Sequence, residues 1–217
     1  MNLLASLGNK DGLTDTATSL LALDPGWKFF GSKGTAAHLE VSGIKATDIG
    51  TLVGDPSPGH LVVTLSQLHF GILCDRGNPE HMTWLDKHGL PYTDFVWVGL
   101  YDLEGALRNN SEDENAVKAA TDMGGAALLR SGAKGRRLVS SSLAITKIII
   151  EWFRAGRPNE EGFRTWLAWL AEERVARYTQ ASANYLFSRI RHNGGIPDMC
   201  PSLRGPEAVE AIDSLLQ

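Results

Sequence analysis

The sequence predicts a mainly α protein, with a helical C-terminal two-thirds and a glycine-rich, partly β or irregular N-terminal third. Two observations support this fold class. Helix-start signals recur after residue 77, and apolar residues at helical spacing run through a long segment from residue 159 to 191. Residues 27–59, by contrast, contain six glycines and few helix signals.

The N-terminal third has few regular elements in this prediction. Residues 1–23 are expected to form a helical arm, in which Thr14 or Asp15 caps the apolar segment that follows. Within the glycine-rich stretch, residues 37–41 predict a short strand. Residues 60–73 are apolar and partly β-branched, which fits either a strand or a buried helix.

The remainder is predicted as helices. Asn78-Pro79-Glu80 supplies an N-cap, a proline at the first helical position and an acidic first turn. Further helices are expected over residues 94–107, 111–129 (weakened at Gly124-Gly125), 138–154, 159–191 and 206–217.

Composition divides the chain into four segments. These are an N-terminal helical arm (1–23), a mixed, loop-rich lobe (24–110), a helical basic lobe (111–205) and a short C-terminal helix (206–217). Both terminal segments are apolar and are set off by glycine or proline. They can fold back on their own core or dock on a neighbouring subunit.

Charge is distributed unevenly. The chain carries 21 Lys and Arg against 25 Asp and Glu, a net charge of −4 at pH 7. Residues 1–129 hold 8 basic and 16 acidic side chains, whereas residues 130–191 hold 12 basic and 5 acidic ones. Ten of those 12 are arginines, and aromatic residues lie between them. Guanidinium groups bind phosphates, and aromatic rings stack on unpaired bases.

This pattern favours a self-associating, sequence-independent RNA-binding protein of nucleocapsid or coat type, with no catalytic role. Its partners would be single-stranded RNA and further copies of the chain, bound through the terminal segments. Tyr178 or Tyr185 would stack on bases. The candidate RNA-contacting residues are Arg130, Lys134, Arg136, Arg137, Arg164, Arg174, Arg177, Tyr178, Arg189 and Arg191.

Other interpretations of the same residues stay open. An amphipathic helix also alternates aromatic and charged residues, and the basic block can pair with the acidic part of a neighbouring copy. A helical adaptor that binds an acidic protein is a further alternative. A small enzyme would have its site in residues 60–94, built from His60, His69, Asp75, His81 or Asp86.

Motifs for nucleotide, metal or nucleophile chemistry are weak. Residues 131–137 form a predicted glycine-bearing basic loop that can contact phosphate, and Gly31-Ser32-Lys33-Gly34 is a weaker version of it. Histidine spacing matches no zinc signature, so neither metal nor cofactor is predicted. Cys74 and Cys200 are expected to be small buried hydrophobes. With no leader or membrane span, we expect a cytoplasmic protein, or a virion component if it is a coat.

Overall fold

The fold is built on a five-stranded parallel sheet. The computed structural model describes residues 1–52 and 68–192, with only the backbone of residues 191 and 192. The strands are β1 (Asn2–Leu7), β2 (Lys28–Gly31), β3 (Ala46–Asp48), β4 (Phe95–Gly99) and β5 (Leu138–Ser140), in the order β3-β2-β1-β4-β5. All neighbouring strands are parallel. The protein is therefore α/β, and the prediction of a mainly α fold with a partly irregular N-terminal third is wrong.

Nine α-helices lie in the described residues. They are α1 (Leu13–Leu23), α2 (Lys33–Val41), α3 (Leu68–Leu73), α4 (Pro79–Lys87), α5 (Leu103–Asn110), α6 (Glu114–Ala119), α7 (Gly124–Lys134), α8 (Leu143–Arg154) and α9 (Glu160–His192). Every helix in this part of the chain is too short or too polar to span a bilayer.

Helices cover both faces of the sheet. Leu3, Phe95 and Trp97 point to one face, where they pack with residues of α1, α2 and α8. Leu4 and Val96 point to the opposite face and pack with α3, α4, α7 and α9. Because side chains alternate along a strand, each central strand is apolar on both sides. The sheet is thus the middle of three layers.

Residues 1–23 are not a helical arm. Residues 2–7 form the central strand β1, and α1 begins only at Leu13, after Gly12 in a left-handed conformation (φ 73°). The error has a physical cause, because a strand buried on both faces is a continuous apolar run without the period-two alternation that marks a half-buried strand. Since β1 lies inside the sheet, this segment cannot be a detachable oligomerisation arm.

The same cause accounts for two other wrong assignments. Residues 94–107 were expected to be one helix but contain β4 followed by α5. Residues 138–154 contain β5 and then α8, which starts at the N-cap Ser142. The predicted short strand at 37–41 lies inside α2.

Several helix predictions agree with the structure. Asn78 caps α4, its side-chain oxygen accepting the N–H of Glu80 at 2.9 Å, and α9 covers the predicted long helix. The 111–129 segment is two helices, α6 and α7, and the expected 131–137 loop is shorter because α7 continues to Lys134. Residues 68–73 are helical, whereas the rest of 60–73 and the predicted 206–217 helix lie outside the described residues.

Candidate active site

The strand order places a crevice at the carboxyl ends of β1 and β4. Strand β1 pairs with β2 on one side and with β4 on the other. The crossover connections therefore run toward β3 on one side of this position and toward β5 on the other. Open α/β sheets bind ligands outside the carboxyl ends of their strands at such a switch point. The residues that follow β1, β2 and β4 are the first candidates for a functional site.

An anion-binding feature begins directly after β2. Ser32 is the N-cap of α2, and its Oγ lies 3.0 Å from Thr35 Oγ1, which accepts the Leu7 N–H at 3.2 Å. The first amides of a helix have no intrahelical acceptor and carry the positive end of the helix dipole. The Thr35 hydrogen bond fixes this helix end against β1. An anion at the amides of Lys33 and Gly34 is therefore favoured.

Lys10 adds a full positive charge at the same place. Its Nζ donates to the carbonyl oxygens of Leu7 (3.3 Å) and Gly8 (3.2 Å). A Cβ placed on Gly34 would lie 3.7 Å from Lys10 Cε, so the lysine stem passes against the first turn of α2. The ammonium group and the helix terminus together form a positively charged cradle suited to a phosphate or a carboxylate.

Tyr101 stands beside this cradle, just after β4. A Cβ placed on Gly8 would lie 3.9 Å from Tyr101 Cδ1, so the ring borders the loop that carries Lys10. Burial raises the pKa of the Tyr101 hydroxyl, and the negative charge of Asp122 raises it further. The phenol therefore stays protonated at neutral pH, as a hydrogen-bond donor must.

Asp122 is held in place by the segment that leads into α7. Its Oδ1 accepts the Gly125 N–H at 2.7 Å, and its own N–H donates to Tyr178 Oη at 2.7 Å. Tyr178 Oη in turn donates to the Ala120 carbonyl at 2.8 Å. Tyr178 is thus a buried positioning residue for Asp122, and it is not available to stack on bases.

These groups complement one another chemically. The cradle is suited to bind an anionic end of a ligand, Tyr101 can donate a proton or a hydrogen bond, and the Asp122 carboxylate can accept one. Among the described residues there is no cluster of three or more side chains suited to hold a metal ion. The arrangement is suited to acid–base chemistry on a molecule anchored by its anionic group.

Most of the predicted RNA-contacting arginines are paired within the chain. Each of five pairs with at least one glutamate, and two of them reach acids from the acidic half of the sequence. The pairs are Arg130–Glu172 (3.2 Å), Arg164–Glu160 (2.7 Å), Arg174–Glu104 (3.6 Å), Arg177–Glu173 (2.7 Å) and Arg189 with Glu112 (3.1 Å) and Glu114 (2.8 Å). The uneven charge distribution is therefore compensated in part inside one protomer.

Of the remaining predicted contacts, Arg136 and Arg137 line one cavity together with Arg164. Arg137 is buried under α3, whereas Lys134 and Arg136 are exposed at the opposite end of α7 from Asp122. The side chain of Arg191 lies outside the described residues.

The histidines proposed for an enzyme site have local structural contacts. His69 Nδ1 lies 2.7 Å from Ser131 Oγ, and His81 Nδ1 accepts the N–H of Asp75 at 3.0 Å. Asp86 is exposed, and His60 lies outside the described residues. The sequence interpretation therefore missed Lys10, Tyr101 and Asp122. Their position in the sequence could have indicated them, since each follows an apolar strand or precedes a helix. Of the residues in this region, only Gly31-Ser32-Lys33-Gly34 had been identified as a phosphate-contacting segment.

Comparison with known proteins gives this geometry a context. Relatives described as "Bifunctional purine biosynthesis protein PurH" match the chain. The protein from Chlorobium phaeovibrioides is 31% identical over 189 residues, and that from Cereibacter sphaeroides 29% over 193 residues. These matches cover 84% and 87% of this chain and 36% of each relative, so the chain spans about a third of their length. No protein-family model matches the chain.

A solved structure shows the same fold. The crystal structure of ForH superposes with a TM-score of 0.67 at 24% identity, covering 87% of this chain and 97% of ForH. Together with the PurH matches, it overturns the nucleocapsid interpretation and its single-stranded RNA partner. The virion location, which depended on that interpretation, has no support. The enzyme alternative agrees better with these comparisons than the coat protein does.

Proposed function

We infer that the chain is an enzyme domain of purine biosynthesis that acts on a phosphorylated purine nucleotide or its precursor. The supporting observation is the placement of Lys10 against the first turn of α2, with Tyr101 beside the neighbouring Gly8 and Asp122 close enough to raise the pKa of Tyr101. The PurH relatives supply the metabolic context.

The phosphate would occupy the cradle. A phosphate ester carries up to two negative charges and several acceptor oxygens, which match an ammonium group, the hydroxyl of Ser32 and the first amides of α2. Binding energy from the phosphate would then orient the remainder of the substrate toward β4.

The base end would meet Tyr101 and Asp122. A neutral phenol stabilises negative charge that develops on a substrate oxygen, and it can deliver its proton to that oxygen. The adjacent carboxylate can accept a proton from a reacting N–H or O–H group. Tyr178 accepts the backbone N–H of Asp122 and so holds this carboxylate near the phenol.

Calorimetric binding of purine nucleoside 5′-monophosphates and of the matching nucleosides tests this function. We expect the monophosphates to bind at least about 30-fold more tightly, since a charge-assisted phosphate contact contributes about 2 kcal/mol or more. Lys10→Ala should remove most of that preference. Lys28→Ala, which deletes an exposed lysine on β2, is the control and should leave it unchanged.

Turnover completes the test. Phosphoribosylated purine precursors are incubated with the protein, and their conversion is followed by mass spectrometry. Conversion that falls in Lys10→Ala and persists in Lys28→Ala supports the proposal. Equal binding of nucleosides and monophosphates, together with no conversion of any precursor, would refute it.

A further inference from the structure

A positively charged cavity lies at the amino ends of the strands, which we call the amino edge of the sheet. The carboxyl edge, where the strands end, holds the candidate active site. The cavity has a volume of about 410 Å³ and opens beside Met1, where β1 begins. Its walls come from the turn before β4, the turn between α7 and β5, and the start of α9. Strands of five or six residues separate it from the carboxyl edge by about 20 Å. It is therefore distinct from the candidate active site.

The cavity is strongly positive. Five arginines line it against two carboxylates, and the first turn of the 33-residue helix α9 adds the positive end of a long helix dipole. Guanidinium groups keep their charge at any physiological pH and present planar pairs of donors. The lining charges are Arg76, Arg136, Arg137, Arg157, Arg164, Asp94 and Glu160.

The floor of the cavity is rigid. Asp94 is 6% exposed and accepts the N–H of Asn2 and an Arg76 N–H, each at 2.9 Å. Arg137 is 7% exposed and donates to the carbonyls of Ile72 and Cys74. The guanidinium carbons of Arg76 and Arg137 lie 4.0 Å and 4.2 Å from the centre of the Tyr92 ring. These groups hold one another in place through hydrogen bonds, an ion pair and contacts with the Tyr92 ring.

Positive charges outnumber negative ones at the rim of the cavity. Glu160 is shared by Arg157 (2.5 Å) and Arg164 (2.8 Å), so one carboxylate faces two guanidinium groups. Arg164 also donates to the backbone carbonyl of Arg136 at 3.0 Å. The Arg136 side chain is exposed and forms no ion pair with any acid of residues 1–52 or 68–190. An anion that enters the cavity would meet it first.

Backbone strain is concentrated at the same rim. Three non-glycine residues in the described part of the chain have positive φ: Arg136 (51°), Arg157 (61°) and Asn159 (46°). Two of them line the cavity, and the third precedes Glu160. Residues in this sparsely populated conformation cluster at ligand sites, where the surrounding structure holds them. The strained backbone is thus a second observation, independent of the charge, that indicates a ligand site at this rim.

We propose that this amino-edge cavity binds a small phosphate-bearing metabolite, at a site separate from the candidate active site. Three surplus positive charges match a phosphate ester or a diphosphate, and the forked donors of Arg136 and Arg157 can each grip two phosphate oxygens. The guanidinium groups of the site keep their protons at neutral pH. Its function is therefore to bind, and the bound anion would stabilise the junction of α7, β5 and α9.

Calorimetric titration with inorganic pyrophosphate at constant ionic strength tests the proposal. All titrations use the Lys10→Ala protein, so that the carboxyl-edge cradle is disabled. We expect saturable binding that Arg136→Gln and Arg157→Gln each weaken by about tenfold or more. Arg177→Gln, the control, removes an arginine of equal charge from the exposed part of α9 and should change affinity less than about twofold.

The outcomes separate the possibilities. Selective weakening by the two rim variants supports the amino-edge site, whether or not the carboxyl edge binds nucleotides. Equal weakening by Arg136→Gln and Arg177→Gln would show that net charge alone attracts pyrophosphate, and it would overturn the proposal. Absence of saturable binding in the Lys10→Ala protein would overturn it as well. Unchanged thermal unfolding of Arg136→Gln confirms that any loss is local.

Discussion

The two edges of the sheet attract anions by different means. At the carboxyl edge, positive potential comes from the α2 terminus and one lysine, and the neighbouring Tyr101 carries a proton that can be transferred. At the amino edge, it comes from five arginines, whose protons stay bound. Backbone amides and small residues leave room for a reacting molecule, whereas guanidinium groups fill the space around their ligand. The same charge sign therefore supports chemistry at one edge and binding at the other.

The largest expected effect tests whether the buried arginine of the amino edge also stabilises the fold. Arg137→Met removes the donor for the Ile72 and Cys74 carbonyls and should lower the free energy of unfolding by about 3 kcal/mol. Although burial lowers the pKa of Arg137 to about 10, with the Cys74 charge opposing that shift, the side chain remains charged at neutral pH. Urea denaturation measures the change.

A matched variant makes this result interpretable. Arg177→Met removes an arginine from the exposed side of α9, where its ion pair with Glu173 is solvated, and should cost less than about 0.5 kcal/mol. If both variants lose the same stability, Arg137 does not stabilise the floor of the cavity, and the contrast with an exposed arginine fails.

An intermediate effect sharpens the role of the carboxyl edge. Tyr101→Phe should reduce turnover of the phosphorylated substrate by about tenfold or more, with little change in unfolding, because it removes one proton donor and no packing surface. Steady-state assay of the wild type and the variant measures it. An unchanged turnover would exclude Tyr101 from the chemistry.

The pKa of Tyr101 offers a test without substrate. Burial and the charge of Asp122 both raise it, so the wild-type phenol should ionise only above the usual range near pH 10. In Asp122→Asn the charge is lost while an oxygen remains to accept the Gly125 N–H, and the titration should move to lower pH. Tyrosinate absorbance, corrected with the Tyr101→Phe protein, reports this shift, and an upward movement would contradict the assignment.

The smallest effect concerns the shared carboxylate of the amino edge. Although partial burial opposes it, hydrogen bonds from Arg164 and Arg157 hold the pKa of Glu160 below its usual value. Its stabilising contribution is therefore present above the unfolded-state pKa and disappears as the pH falls through the folded-state pKa. Glu160→Gln should cost about 1 kcal/mol or less at pH 7, and the difference from the wild type should shrink below about pH 4.5.

Glu172→Gln is the appropriate comparison for that variant. Glu172 pairs with Arg130, and both side chains are largely exposed, so its loss should be smaller at neutral pH. Urea denaturation of both variants across the acid range gives the two profiles. A Glu160→Gln deficit that grows on acidification would show that the sign of the linkage is wrong.

Local signals predicted part of the fold correctly. Asn78 and Pro79 mark the start of α4, and the start of α9 at Glu160 follows the predicted asparagine. A helix cap involves residues within one turn of each other, so sequence proximity suffices to identify it. The strands were misassigned because β1, β4 and β5 are buried on both faces, and their pairing joins residues as far apart as Leu3 and Phe95.

The candidate site was predictable only in fragments. Residues 31–34 were identified as a weak phosphate-contacting segment, yet the partners that give that segment meaning lie in other parts of the chain. Tyr101 is about 90 residues from Lys10 in sequence, yet its ring borders Gly8, in the loop that carries Lys10. The basic block was misinterpreted for the same reason, since Arg189 pairs with Glu114 across 75 positions.

The sequence by itself determined where helices begin, which stretches are apolar and how charge is distributed along the chain. Those properties depend on neighbours within a few residues, and they hold whatever the fold. Tertiary structure decided which strands lie side by side, which arginines are neutralised and which two edges carry anion sites. These outcomes depend on parallel pairing across crossovers, where contacts between distant residues replace local preference as the dominant energy.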